Sequence, residues 1–192
     1  VMHKRLVSYL NKYNIIDNNQ HGFRLGKSTN TAITNFIKNV YESVDKKQIS
    51  VGLFLDLSKA FDLVDHEILL RKLSAYGIRG LAHEWFKSYL TNRKQLVEIT
   101  YQNNDKNEIN NYSSSLQYVN YGVPQGSILG PILFLIYIND LGTCIKHGKP
   151  TLFADDTSIF ISGRSMENIQ LDIRDTVNQL SQWFQKKQIN NQ

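Results

Sequence analysis

Three aspartates stand where a carboxylate is expensive. Asp56 closes the apolar run Val51-Gly52-Leu53-Phe54-Leu55, and Asp155-Asp156 lie between Phe153-Ala154 and Thr157-Ser158-Ile159-Phe160. A carboxylate at the end of an apolar strand loses hydration unless positive charge stands beside it, and two in tandem also repel each other. A divalent cation answers both problems. Hard Mg²⁺ takes oxygen ligands and keeps waters or substrate phosphates, and two such ions about 4 Å apart can clamp both ends of an in-line phosphoryl transfer. Side chains alternate along a hairpin, so Asp155 and Asp156 point to different sides, which makes Asp155 the expected direct ligand and Asp156 the weaker one. Taken alone, an Asp-Asp pair more often serves a turn. A glycosidase-like acid/base pair has little support, because nothing positions a second carboxyl with a raised pKa.

These residues need a scaffold, and hydrophobic periodicity supplies its outline. Met2, Leu6, Leu10 and Tyr13 recur at helical spacing, and Ala32, Ile33, Phe36, Ile37, Val40 and Val44 stripe a second helix over Thr29 to Lys46. Between them Asp17 to Ser28 reads as an ordered polar loop. Val51 to Leu57 reads as a strand buried on both faces. A helix is predicted from Asp65 to Gly77 and another from Leu81 to Tyr89 with Trp85 inward, followed by a half-exposed strand through Val97, Ile99 and Tyr101. Gln102 to Ser115, rich in Asn and Ser, reads as an exposed excursion. Gln117 to Tyr121 is a predicted strand, Ser127 a predicted cap for the apolar helix that follows, and Pro131 fits that helix's first turn. Thr151 to Ser162 forms a predicted hairpin with the two carboxylates at its tip. A last helix, Ser165 to Lys186, is striped by Ile169, Ile173, Val177, Leu180 and Phe184. Helices followed by interleaved strands and helices predict an α+β fold with α/β-like order, the helices packed on one face of the sheet.

Composition narrows the class. The chain has 192 residues, 41% hydrophobic and 20% charged, a globular balance that argues against disorder. Its 22 basic and 17 acidic residues leave a net charge of +5, compatible with a polyanionic partner without requiring one. A single cysteine, Cys144, excludes an internal disulfide, leaves no expectation of a disulfide-linked partner, and with no Cys/His cluster excludes a zinc module. The longest apolar run, Ile128 to Ile138, is shorter than the roughly 20 residues of a membrane span. No membrane association and no secretion are expected, and an intracellular site, cytoplasmic or nuclear, fits.

Four blocks carry more than spacing. Phe54-Leu55-Asp56-Leu57-Ser58-Lys59-Ala60-Phe61-Asp62, the run from Gly122-Val123-Pro124-Gln125-Gly126-Ser127 to Phe134, and Phe153-Ala154-Asp155-Asp156 resemble, in order, the three palm motifs of reverse transcriptases. Upstream, Gln20-His21-Gly22-Phe23-Arg24-Leu25-Gly26-Lys27-Ser28-Thr29 resembles the fingers block of non-LTR retrotransposon enzymes of the LINE or jockey type. The resemblance covers almost the whole chain. It implies a right-hand polymerase palm sheet, with residues 1–50 as partial fingers and 51–192 as palm carrying motifs A, B, C and the start of D. It implies an RNA-directed DNA polymerase acting on an RNA template, a DNA primer and deoxynucleoside triphosphates with two Mg²⁺ ions, Mn²⁺ being an alternative.

Residue by residue, the resemblance makes Asp56, Asp155 and Asp156 the metal-binding carboxylates, with the Leu57 carbonyl a further candidate ligand. Phe61 matches the steric gate against a ribose 2′-hydroxyl, and Gln125 the glutamine that touches the incoming nucleotide. Gly122, Pro124 and Gly126 match backbone that approaches template and primer. Arg24 and Lys27 match basic residues that meet phosphate. A P-loop is excluded, since Gly22 and Gly26 enclose three residues where that motif needs four. Gln182 to Lys187 resembles the opening of the next palm motif, while the thumb, the primer grip and the upstream fingers block are missing. The expectation is therefore a fragment that binds Mg²⁺ weakly and extends primers poorly or not at all, with two alternatives: a catalytically dead nucleic-acid-binding remnant, and a metal-dependent nuclease using the same carboxylates.

Overall fold

The computed structural model of the chain describes residues 1–103 and 108–188. In chain order the elements are helices α1 (Met2–Lys12) and α2 (Thr29–Asp45), strand β1 (Ile49–Leu55), and helices α3 (His66–Ala75) and α4 (Leu81–Leu90). Strands β2 (Lys94–Gln95), β3 (Glu98–Asn103), β4 (Glu108–Ser113) and β5 (Gln117–Tyr118) follow. Helix α5 (Gly130–Ile138), strands β6 (Lys149–Phe153) and β7 (Asp156–Gly163), and helix α6 (Met166–Gln188) complete the chain. These elements form two compact units, one of Val1–Val64 with the chain from Val123 onward, the other of Asp65–Gly122.

The first unit holds the three aspartates. Its sheet is antiparallel in the order β1-β7-β6, with β7 central. Ile159 and Ile161 of β7 are fully buried on one face. Ile169 of α6 reaches that same face, standing 3.1 Å from where a side chain on Gly163 would begin. α2 crosses the other face, with Phe36 edge-on to Phe160 at 5.9 Å and against Phe54 at 5.7 Å. Helices therefore pack on both faces, where one was expected. α5 is buried on all sides from Ile132 to Ile138, as its uninterrupted apolar sequence requires. Pro131 sits in its first turn, and the Ser127 hydroxyl accepts from the Gly130 amide at 2.9 Å, close to the predicted capping role.

α2 is rotated off its apolar stripe, of which Ala32 and Phe36 still face the sheet. Its buried residues are Ala32, Asn39 and Ser43, while Ile33 and Val44 are about 60% exposed. The sheet face beneath it is partly polar, and polar groups on the helix answer those groups: Asn35 Nδ2 donates to Thr151 Oγ1 at 3.1 Å, the Ser50 hydroxyl donates to Ser43 Oγ at 2.7 Å, and Lys149 Nζ donates to Asn39 Oδ1 at 3.0 Å. β1 likewise is not buried on both faces; it alternates between half-buried and exposed positions, and Asp56 lies just past its end. On α6, Ile169, Thr176, Leu180 and Trp183 are the buried positions, and Val177 is exposed.

In the second unit Asp65 caps α3 as expected, its Oδ1 accepting from the Ile68 amide at 2.8 Å. Gly77, with φ of 88°, ends that helix. On α4 it is Phe86 that is buried, whereas Trp85 stays exposed and stacks on Tyr89 at 5.5 Å. The Asn-rich stretch, expected as an exposed excursion, is exposed from residue 109 to 115 and contains β4, paired with β3 from Glu98–Ser113 to Asn103–Glu108; residues 104–107 of that stretch lie outside the described residues. The strand expected over Gln117 to Tyr121 is reduced to β5, paired with β2.

Exposure and burial make opposite predictions for two isoleucines. Ile159→Ala should cost roughly 2–5 kcal/mol in denaturant unfolding, because it opens a cavity in the central strand. Ile33→Ala on α2 should stay within about 0.5 kcal/mol, and a larger loss there would mean that its face is covered after all.

Candidate functional site

The ladders of β7 bring the aspartates to one end of the sheet. β1 and β7 pair down to Leu55–Thr157, so the next residue of each strand, Asp56 and Asp156, stand opposite one another just past the last rung. β6 and β7 pair up to Phe153–Asp156, leaving Ala154 and Asp155 as a two-residue turn. Asp56 and Asp156 are exposed and Asp155 half-buried. No hydrogen bond or ion pair engages any of the three carboxylates among the described residues. Nor do three acidic, His or Cys side chains close into a ready-made metal cluster there. The donor set nonetheless suits a hard divalent ion, consisting of carboxylate oxygens without competing cations at solvent-accessible strand ends. The Leu57 carbonyl accepts from the Ala60 amide at 3.2 Å, which leaves it one lone pair for a ligand.

On the face of Asp156, a groove of about 390 Å³ runs from the carboxylates towards α2, lined by Ile33, Phe36, Phe54, Asp56, Phe153 and Asp156. Phe61 is half-buried and stacked on Phe134 of α5 at 4.3 Å, with Phe23 edge-on at 6.2 Å. Its carbonyl accepts from the Val123 amide at 2.9 Å, which ties the segment after Asp56 to the segment that carries Gln125. Gln125 is exposed and its Nε2 donates to Asp62 Oδ1 at 2.9 Å. The Pro124 carbonyl accepts the Ser127 hydroxyl at 2.7 Å, and Gly126, with φ of 75°, closes the same turn in open space. Gly122, in the other unit, has φ of 86° and its carbonyl meets His66 Nε2 at 2.7 Å.

Arg24 and Lys27 belong to the loop 17–28, and they fasten it. Arg24 Nη1 donates to the carbonyls of Asp17 at 2.7 Å and Gln20 at 3.3 Å, and Lys27 Nζ donates to the Asn18 carbonyl. Most of their donors remain free for an anion. Burial lowers the Lys27 pKa, helped by the neighbouring Arg24 charge, although Asp17 opposes the shift. An anion placed between the two cations would relieve that repulsion.

Gln20 and His21 of this loop hold structural positions that no motif announces. Gln20 is buried, and its Oε1 accepts from the amides of Ala154 at 2.9 Å and Gly22 at 2.8 Å. Glutamine is ordinarily exposed, so only its neighbourhood to His21 and Gly22 in the resembling block could have drawn notice. Ala154 takes φ of 55°, a left-handed conformation that costs an L-residue about 1–2 kcal/mol. Such strain persists only where the surroundings hold it.

The buried His21 donates from Nδ1 to Thr31 Oγ1 at 2.8 Å, because the threonine's own proton is given to the Ser28 carbonyl at 2.8 Å. Burial lowers the His21 pKa, and the charges of Lys27 and Arg24 lower it further. The folded state therefore favours neutral His21 more than the unfolded state does, and this contribution is present above the unfolded value of about 6.5 and lost as pH falls through the folded one. The melting temperature should drop as pH falls below about 6.5, above the range where most carboxylates titrate, and His21→Asn should flatten that slope in thermal melts. An equally steep profile for the variant would place the effect elsewhere.

The chain matches the family model described as reverse transcriptase (RNA-dependent DNA polymerase) over residues 1–191. It is similar to the probable RNA-directed DNA polymerase from transposon X-element of Drosophila melanogaster, 30% identical over 95% of this chain and 19% of the relative. It is also similar to the RNA-directed DNA polymerase from mobile element jockey of the same species, 29% identical over 85% of this chain and 18% of the relative. The chain thus spans about a fifth of the length of the curated relatives it matches. Among solved structures, telomerase from Candida albicans, in complex with a TWJ fragment of telomeric RNA, matches with a TM-score of 0.54 and 12% identity over 91% of this chain and 32% of that one, a likeness of fold.

Proposed function

The chain belongs to the reverse transcriptase (RNA-dependent DNA polymerase) family, and from that premise we propose that it carries the catalytic centre for RNA-templated DNA synthesis. In this reading a primer 3′-hydroxyl attacks the α-phosphate of a deoxynucleoside triphosphate paired to an RNA template, and pyrophosphate leaves. The observation that carries it is the register of β7, which sets Asp56 opposite Asp156 and puts Asp155 in the adjoining turn, all three without a cationic partner among the described residues.

Asp56, Asp155 and Asp156, with the Leu57 carbonyl, would hold divalent ions, two Mg²⁺ in this proposal. Such ions, when bound, supply charge neutralisation at the attacking and leaving oxygens. The protein's own part is positioning and electrostatics. Phe61, stacked on Phe134, would exclude a ribose 2′-hydroxyl. Gln125 offers an exposed amide to the incoming nucleotide, and Arg24 and Lys27 offer donors to its triphosphate. Gly122, Pro124 and Gly126 contribute backbone on the template and primer side. Residues 1–50 act as partial fingers and 51–192 as palm. No helix of the described residues is long and apolar enough to cross a membrane.

Primer extension on an RNA template tests the proposal. Asp155→Asn should lower the rate by at least about 100-fold, in line with removing a preorganised electrostatic contact from a transition state. Retained synthesis, or a labelled strand that shortens instead of lengthening, would reject it, the second outcome in favour of a nuclease. Phe61→Ala should raise ribonucleotide incorporation relative to deoxynucleotide by on the order of tenfold or more, read by alkaline cleavage of the product. Unchanged selectivity would remove Phe61 from the gate.

A further inference from the structure

We propose that Gln20 is a positioning residue for the Asp155-Asp156 turn, an assignment that rests on the polymerase reading and names what holds its carboxylates in place. One buried carboxamide brackets the strained residue. Gln20 Oε1 accepts from the Ala154 amide at 2.9 Å, and Gln20 Nε2 donates to the Ala154 carbonyl at 3.3 Å. The second lone pair of Oε1 takes the Gly22 amide at 2.8 Å, so the orientation of the carboxamide is fixed, since a flipped group would set its NH₂ against two N–H donors.

The backbone around Gln20 is anchored independently. Leu152 donates to the Asn19 carbonyl at 2.9 Å and accepts from the His21 amide at 2.7 Å, which makes residues 19–21 a short parallel addition to β6. Gly22 approaches so closely that a Cβ there would stand 2.3 Å from the Ala154 nitrogen, a contact with backbone that no rotamer can relieve. The Gln20 carbonyl also receives Arg24 Nη1 at 3.3 Å. The basic loop and the carboxylate turn therefore meet at residue 20.

Ala154 is the residue that needs this support. It is the first of the two turn residues and adopts φ of 55°, where glycine is the usual occupant. Without the carboxamide, the amides of Ala154 and Gly22 lose their acceptor in a buried place, and the turn can relax out of its strained conformation. Asp155 and Asp156 would then shift relative to Asp56. Transition-state geometry tolerates errors of only a fraction of an ångström, so the loss falls on turnover more than on nucleotide binding.

Gln20→Met, close in volume but without the amide, tests the proposal in the 192-residue chain. Hydrogen exchange at the Ala154 amide should become at least about tenfold faster, while exchange at Ile159 and Ile161 stays as in the parent. In primer extension kcat should fall by roughly 10–100-fold, with the KM for the nucleotide within about threefold of the parent. Gly22→Ala keeps the carboxamide but forces the loop away from Ala154, and the same local acceleration is expected. Unchanged exchange at Ala154, or acceleration that spreads equally to Ile159 and Ile161, overturns the positioning role. A parent chain that extends no primer, yet shows the local exchange difference, supports the clamp and rejects turnover by this chain.

Discussion

Everything at the carboxylate end of this molecule depends on the register of one strand. β7 is shared between two ladders, and the ladders stop at adjacent residues, Thr157 against β1 and Asp156 against β6. A slip of one residue would send Asp156 to the opposite face and bring Ile159 and Ile161 out of the core. The apolar burial that fixes the register therefore also fixes where the charges emerge. Repulsion among three carboxylates opposes that arrangement, and at the edge of the ladder it is tolerable because water and counter-ions reach it. The site is assembled by hydrophobic forces acting away from it and left electrostatically unsatisfied where ligands arrive.

The turn shows the same division of labour on a smaller scale. A two-residue connection between β6 and β7 is what places Asp155 beside Asp156, and such connections require positive φ at their first residue. Glycine would meet that demand at lower strain, yet would leave the turn freer in the absence of other contacts. Alanine narrows the accessible states, and the Gln20 carboxamide holds the one that remains. The clamp comes from a segment more than a hundred residues away in sequence, with |i−j| of 134 for the Gln20–Ala154 bonds. Local propensity alone does not define this turn.

That separation explains what the sequence could and could not reveal. Features written in neighbouring residues were legible: the Asp65 cap, the all-apolar α5 with its early proline, and the hairpin carrying Asp155-Asp156 at its tip. The face on which α2 packs was not. Periodicity identifies an apolar stripe, but which side turns inward depends on the partner surface, and here Thr151, Ser50 and Lys149 offer polar groups that Asn35, Ser43 and Asn39 satisfy. Trp85 yielded its inward place to Phe86, a choice of adjacent residues that helical spacing cannot separate. β4 was not named within the exposed excursion because Asn is depleted in strands, while its strand character comes from pairing with β3. The order of the site residues along the chain was readable from the resembling blocks; that Arg24 and Lys27 also brace their own loop was not.

Phe61 illustrates why a site residue must be judged with its support. A ring can reject a 2′-hydroxyl only if moving the ring costs more than the clash it is meant to impose. Phe61 lies against Phe134 at 4.3 Å, and Phe134 is 1% exposed within α5, so retreat in that direction would compress the most densely apolar helix of the chain. Phe23 meets its edge from the loop that also contains Gln20 and Arg24. The loop that holds the Asp155-Asp156 turn thus also borders Phe61, the proposed gate, and a displacement of that loop would loosen both together. In the proposed reading, selectivity for the sugar and alignment of the carboxylates then draw on one piece of backbone, in which Gly22 has no room for a side chain against Ala154.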